Sequence, residues 1–185
     1  MLSKAKLWMH KVPPVRLIVI SFAIIILVGA CLLTLPVCTK AGQITSFLDA
    51  LFTAGSATCV TGLVLFDTYL HWTTTGQVII LLLIQVGGLG LVTFTTGMTL
   101  LLRKKLGLRN LQLAVENTNG DSGEIGSLIR MILAFTFSCE GIGALLLMIR
   151  FLPQMGRHGI WVSIFLAVSA YCNAGFDILG SVMAN

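Results

Sequence analysis

The chain has 185 residues, of which 56% are hydrophobic and only 10% charged, where an ordinary soluble domain carries roughly 25% charged residues. That excludes a typical water-soluble globule; twelve Lys and Arg against seven Asp and Glu give +5, but these charges sit in short segments between long apolar runs, as in a membrane protein and not a nucleic-acid binder. Five Cys, at 31, 38, 59, 139 and 172, form no CxxC pair and have no His at metal-ligand spacing, so neither a disulfide framework nor a zinc site is indicated.

In chain order, residues 1–16 form a basic segment, with Lys4, Lys6, Lys11 and Arg16 and no acid, expected on the cytoplasmic side. Residues 17–39 carry no charge, and 17–35 as helix would be about 28 Å long, close to the ~30 Å hydrocarbon core. Pro36 ends this first span. The next apolar run, to residue 57, is too short to cross. Ser46-Phe47-Leu48-Asp49 fits a capping box, so a short helix is expected over 46–57, followed by non-helical backbone at about 58–63. A second span is expected over 76–102, inside a stretch free of formal charge from 68 to 102.

Residues 103–126 read as a cytoplasmic linker that opens with Arg103, Lys104, Lys105 and Arg109 and continues with Glu116, Asp121 and Glu124. A third span follows at 127–152, interrupted by Glu140, then a second short apolar piece at 160–170 and a non-helical segment at about 171–176. A secretory signal is not favoured, because the first apolar run continues past Cys31 and two more spans follow.

Charge parity fixes the path. If 1–16 and 103–109 share the cytoplasmic side, an even number of crossings separates them, and the two spans already supply it. The piece at 46–57 must then be re-entrant, with its partially negative C-terminal end near the midplane, a favourable field for a cation. The backbone beyond it survives at that depth only if buried in protein or lining a watery path.

An internal repeat supports the same picture. Ser56-Ala57-Thr58-Cys59-Val60-Thr61-Gly62-Leu63 aligns without gaps on Ser169-Ala170-Tyr171-Cys172-Asn173-Ala174-Gly175-Phe176, 113 residues later. Both copies follow a short non-spanning helix that follows a full span. The fold class expected is all-α integral membrane, in repeated units of span, re-entrant pore helix, filter and span, with a multi-pass topology and a cytoplasmic N-terminus. Backbone carbonyls can replace the hydration shell of a monovalent cation without a charged side chain, and Gly62 and Gly175 would admit the backbone angles this needs. The candidate ion-binding residues are Thr58, Cys59, Val60, Thr61 and Gly62 in the first copy and Cys172, Asn173, Ala174 and Gly175 in the second.

The string 53–63, the segment around Gln85-Val86-Gly87-Gly88-Leu89-Gly90, and 169–177 resemble the Trk/Ktr/HKT superfamily of potassium transporters, above all its bacterial Ktr-type sodium-dependent potassium uptake subunits. The resemblance implies four pore units around one pathway, potassium and sodium as transported ions, no cofactor and no enzymatic activity, a plasma-membrane location, a homodimer, and a cytosolic nucleotide-binding ring docked on the inner face, with 103–109 as a contributor. Four units of about 113 residues need about 450, so the chain is expected to be an N-terminal fragment whose second unit, 127–185, is incomplete.

Other residues have plainer readings beside the sharp ones. Cys59 and Cys172 are expected to be buried thiols behind the filter. The glycines at 87, 88 and 90 suit close helix packing in lipid, with an inner hinge as the lesser reading. Glu140, mid-span, costs about 2.5–3.5 kcal/mol on insertion scales and needs a partner; a structural brace is favoured over a direct cation ligand. Asp67 and Asp177 either raise cation concentration at the outer mouth or are solvated loop acids. His71 and Trp72 suit an interfacial loop, and nothing suggests catalysis. The rival function is a structural or assembly subunit with non-conducting loops, or a sodium-preferring channel.

Overall fold

The computed structural model describes residues 14–40, 45–106 and 123–180. Among these the structure is helical: α1 (Pro14–Leu33), a 3-10 turn (Pro36–Cys38), α2 (Phe47–Thr58), α3 (Thr68–His71), α4 (Thr74–Leu106), α5 (Gly123–Met155) and α6 (Arg157–Tyr171). No strand occurs among the described residues; one isolated bridge pairs Thr39 with Trp72.

Local chemistry sets the helix ends. Past α1, the Thr34 hydroxyl donates to the Ala30 carbonyl at 2.6 Å, and Leu35 is extended (φ −66°, ψ 138°), as the residue before a proline must be. The capping box of α2 is formed: the Ser46 hydroxyl accepts from the Asp49 N–H at 3.2 Å, and the Asp49 carboxylate accepts from the Ser46 N–H at 3.3 Å. The one-turn α3 was read from sequence as loop. Asp67 makes it by accepting from both the Tyr69 and Leu70 N–H groups at 2.8 Å.

α4 and α5 each hold 33 residues, about 50 Å at 1.5 Å per residue, long enough to tilt or project beyond a bilayer core. Both run beyond the spans expected at 76–102 and 127–152 and into the ends of the expected linker. The rest of that linker, 107–122, lies outside the described residues, as do 1–13 and 181–185. Among the described residues one stretch, Arg130–Met155, is long and apolar enough to cross a membrane; Val19–Leu33 and Thr74–Gly90 are shorter apolar stretches.

Two units make up the chain, Met1–Gly87 with Ala174–Asn185, and Gly88–Asn173. In the first, α1 packs on α2 around Gly29, where a Cβ would lie 2.8 Å from the Leu83 side chain and 3.4 Å from the Ala54 Cβ. Ala30, Leu33, Ala54, Ile80 and Ile84 are fully buried there. In the second, α5 packs on α6, and a Cβ at Gly143 would lie 3.6 Å from the Ala167 Cβ. Small residues thus let the helices approach in both units, which matters in lipid, where apolar side chains gain little by leaving the solvent. The other faces are strongly apolar: on α5, Phe135 is 65% and Ile149 74% exposed, a surface suited to lipid or another apolar partner and not to water.

Candidate functional site

The site begins at the last turn of α2. Cys59 caps it in a helical conformation (φ −84°, ψ 0°) and donates its N–H to Gly55. Val60 turns left-handed (φ 57°), donating its N–H to Ala57 at 3.3 Å while Thr61 donates to Ser56 at 3.0 Å. This is a Schellman motif, whose left-handed position normally takes glycine or asparagine. A β-branched valine there is strained, and such strain persists only where the surroundings over-determine it. Gly62 follows, also left-handed (φ 73°).

The same backbone recurs 113 residues later. Cys172 caps α6 (φ −73°, ψ −8°) and donates to Val168 at 2.9 Å, and Asn173 donates to Ala170 at 3.0 Å. Asn173 and Gly175 then take φ 59° and φ 72°. In both loops the amide donors nearest the helix are spent on the helix's own carbonyls. What remains is a short backbone rich in acceptors, at the negative end of a helix dipole, which suits a cation and repels an anion.

The two glycines face each other. A Cβ on Gly62 would lie 2.9 Å from the Ala174 carbonyl oxygen and 3.4 Å from the Gly175 Cα; one on Gly175 would lie 3.3 Å from the Gly62 Cα. Segments far apart in sequence therefore meet within the first unit, backbone to backbone. The Ser56 and Thr61 hydroxyls pair at 2.9 Å and tie the first loop to its own helix.

One expectation needs correction. Cys59 was expected as a buried thiol; it is exposed, and Cys172 is only partly buried. Each lies just past its helix, where the chain leaves the packed face. Thr58, grouped with the candidate ion-binding residues, is 1% exposed, with its hydroxyl unpaired and its carbonyl against Gly87. It belongs to the packed last turn of α2. His71 and Trp72, read as suited to an interfacial loop, are 4% and 1% exposed.

Two glycines of α4 have a direct explanation. Any Cβ at Gly87 would overlap the Thr58 carbonyl, and one at Gly88 would lie 2.6 Å from the Cys172 sulfur. They let α4 touch the end of α2 in one unit and the end of α6 in the other. On α5, Thr136 and Glu140 are both buried, one turn apart. Thr136 shares a 3.2 Å hydrogen bond with the Tyr171 hydroxyl. Asp67 caps α3, and Asp177 accepts from the Leu179 N–H at 3.1 Å, so both acids have local backbone work. No cluster of three His, Cys, Asp or Glu able to hold a metal occurs among the described residues.

A clasp absent from the sequence reading lies beside the first loop's helix. The Lys40 N–H donates to the His71 carbonyl at 3.0 Å, and the Lys40 ammonium donates to the Tyr69 carbonyl while lying over the Tyr69 ring. His71 Nε2 is 2.7 Å from the Thr45 hydroxyl, which reaches Thr39 at 3.1 Å. Phe66 stacks on the imidazole at 4.1 Å. Burial lowers the His71 pKa below its ordinary 6.5, and the Asp49 charge partly opposes this. The only sequence signal was the aromatic pair His71-Trp72 just before a span, since hydroxyls and a lone Lys spaced over thirty residues carry no recognisable pattern.

Comparison with known proteins covers nearly the whole chain. The profile of the family TrkH, described as a cation transport protein, matches residues 15–185. The potassium/sodium uptake protein NtpJ of Enterococcus hirae is 44% identical over 173 residues, 92% of this chain and 38% of its own length. The Ktr system potassium uptake protein B of Bacillus subtilis is 43% identical over 173 residues with the same shares, and its namesake in Vibrio alginolyticus is 38% identical over 170 residues, 91% of this chain and 37% of its own. The chain thus spans well under half the length of these relatives.

Proposed function

We propose, from the premise that this chain belongs to the TrkH family of cation transport proteins, that it supplies two of the backbone loops through which potassium crosses the membrane, with sodium as a coupling or permeant ion. In this reading α2 and α6 are re-entrant pore helices, α1, α4 and α5 are spans, and the N-terminus is cytoplasmic. The observation that carries it is the pair of acceptor-rich loops with recurring left-handed positions, meeting at Gly62 and Gly175. Two loops enclose only part of an axis, so conduction belongs to a protein with further loops. Relatives more than twice as long as this chain agree with that.

The ion-lining residues are Val60, Thr61, Gly62, Asn173, Ala174 and Gly175 through their carbonyls, with Cys59 and Cys172 at the helix ends; Thr58 sets the loop's depth from behind. The ion moves by exchange of hydration for carbonyl oxygen, without covalent chemistry. A homodimer, with a cytosolic nucleotide-binding ring near 103–109, completes the reading; the relatives named as parts of a Ktr system favour further components. Rubidium uptake into a host lacking its own potassium uptake, from the complete reading frame, tests the proposal. Gly62→Ala should abolish uptake while membrane insertion stays normal. Wild-type uptake in that variant would leave the structural-subunit reading as the better one.

A further inference from the structure

The two loops share a backbone but not a bracing scheme. In the first, Thr61 supplies a hydroxyl that pairs with Ser56. In the second, Ala174 stands at the equivalent position and has none, so that internal tie cannot form. Tyr171 provides a substitute, reaching out of the loop's own helix to Thr136 on α5. Gly29 meets Ala54 as Gly143 meets Ala167, which sets α1 and α5 in register 114 residues apart. By that register Phe22 stands where Thr136 does, and Thr58 stands where Tyr171 does. Aromatic and hydroxyl have changed places, and the buried Thr58 hydroxyl has no partner.

We infer that the Tyr171–Thr136 hydrogen bond is a positioning device that ties the Gly175 loop to α5 and thereby sets ion discrimination at that loop, whereas the Gly62 loop is set from within by Ser56 and Thr61. Thr136 is 1% exposed and lies one turn from the buried Glu140, so the anchor end is fixed in packed helix. Tyr171 directly precedes Cys172, whose sulfur is held against Gly88. A small movement of α5 is therefore transmitted through Tyr171 to Cys172 and Asn173, at the start of the Gly175 loop.

This rests on the proposed ion pathway, and the test separates the two. Rubidium and sodium uptake are measured side by side, per molecule in the membrane, for the complete protein carrying Tyr171→Phe, Thr136→Val, both together, or Thr136→Ser. One hydrogen bond corresponds to about a three- to tenfold change. Each single variant should lower the rubidium-to-sodium ratio by about that factor, the double variant should go no lower, and Thr136→Ser, which keeps the hydroxyl, should restore the ratio. Uptake of both ions falling in proportion, or single effects that multiply in the double variant, would overturn the inference. Rubidium uptake that survives in Gly62→Ala would instead overturn the pathway beneath it.

Discussion

The helices α2 and α6 reach the same C-terminal geometry from unlike beginnings. α2 starts afresh after an outer clasp, with the Ser46–Asp49 capping box closing its N-terminus. α6 follows α5 across the single left-handed Gly156, with no side-chain cap. Yet the conformations at 59, 60 and 62 reappear at 172, 173 and 175. The entrance to a short helix can be built in several ways, because any donor-satisfying arrangement serves. Its exit is the same in both helices, with left-handed positions at 60 and 62 and again at 173 and 175. The repeated letters Ser, Ala, Cys and Gly lie at the exit, where the geometry is repeated.

The largest effect expected is at the meeting glycines. Alanine at Gly62 combines a left-handed φ with a 2.9 Å approach to the Ala174 carbonyl, whereas alanine at Gly175 meets only the Gly62 Cα at 3.3 Å. Strain alone is worth about 1–3 kcal/mol, so rubidium uptake should fall more than about tenfold in Gly175→Ala and further in Gly62→Ala. Equal, small losses would break the asymmetry. Next comes α4: Gly87→Ala drives a methyl into the Thr58 backbone and should prevent accumulation of folded protein, while Gly55→Ala, with open space around it, should be neutral or stabilising by about 0.5–1 kcal/mol. Thermal unfolding in detergent separates the two.

A smaller effect sharpens the comparison of the loops themselves. Val60→Asn gives the first loop the residue found in the second and should raise thermal stability by about 1 kcal/mol, since asparagine tolerates the left-handed region. Asn173→Val should lower it by a similar amount. At the entrances, Ser46→Ala should cost about 1 kcal/mol, with no equivalent residue to remove at α6.

Smallest is a pH effect confined to the first loop's clasp. Because burial holds the His71 pKa below 6.5, the unfolded chain binds a proton more readily, so stability rises with pH through that window. Full stability is present above pH 6.5 and declines as acidity carries the pH down toward the lowered value. The thermal midpoint should fall as pH drops from about 7 to 5, and His71→Gln should flatten that slope.

The helical character was legible because it leaves local patterns, uncharged runs and a capping box. The membership in a cation transport family was legible for the same reason. Other features depend on contacts across long separations. Nothing in sequence says that Gly87 meets Thr58, that Lys40 crosses to Tyr69, or that Tyr171 pairs with Thr136. The exposure of Cys59 was misread because a free thiol is usually buried, whereas this one sits just past the end of a helix. The helix expected to end at residue 57 runs one residue further, to Thr58.

The most direct test of the central idea is an anomalous-scattering map of the complete protein crystallised with thallium or rubidium in place of potassium. A peak is expected between the Gly62 and Gly175 loops, coordinated by main-chain oxygens of residues 60–62 and 173–175. A map empty at that position, with density instead at carboxylates such as Glu140, would contradict it.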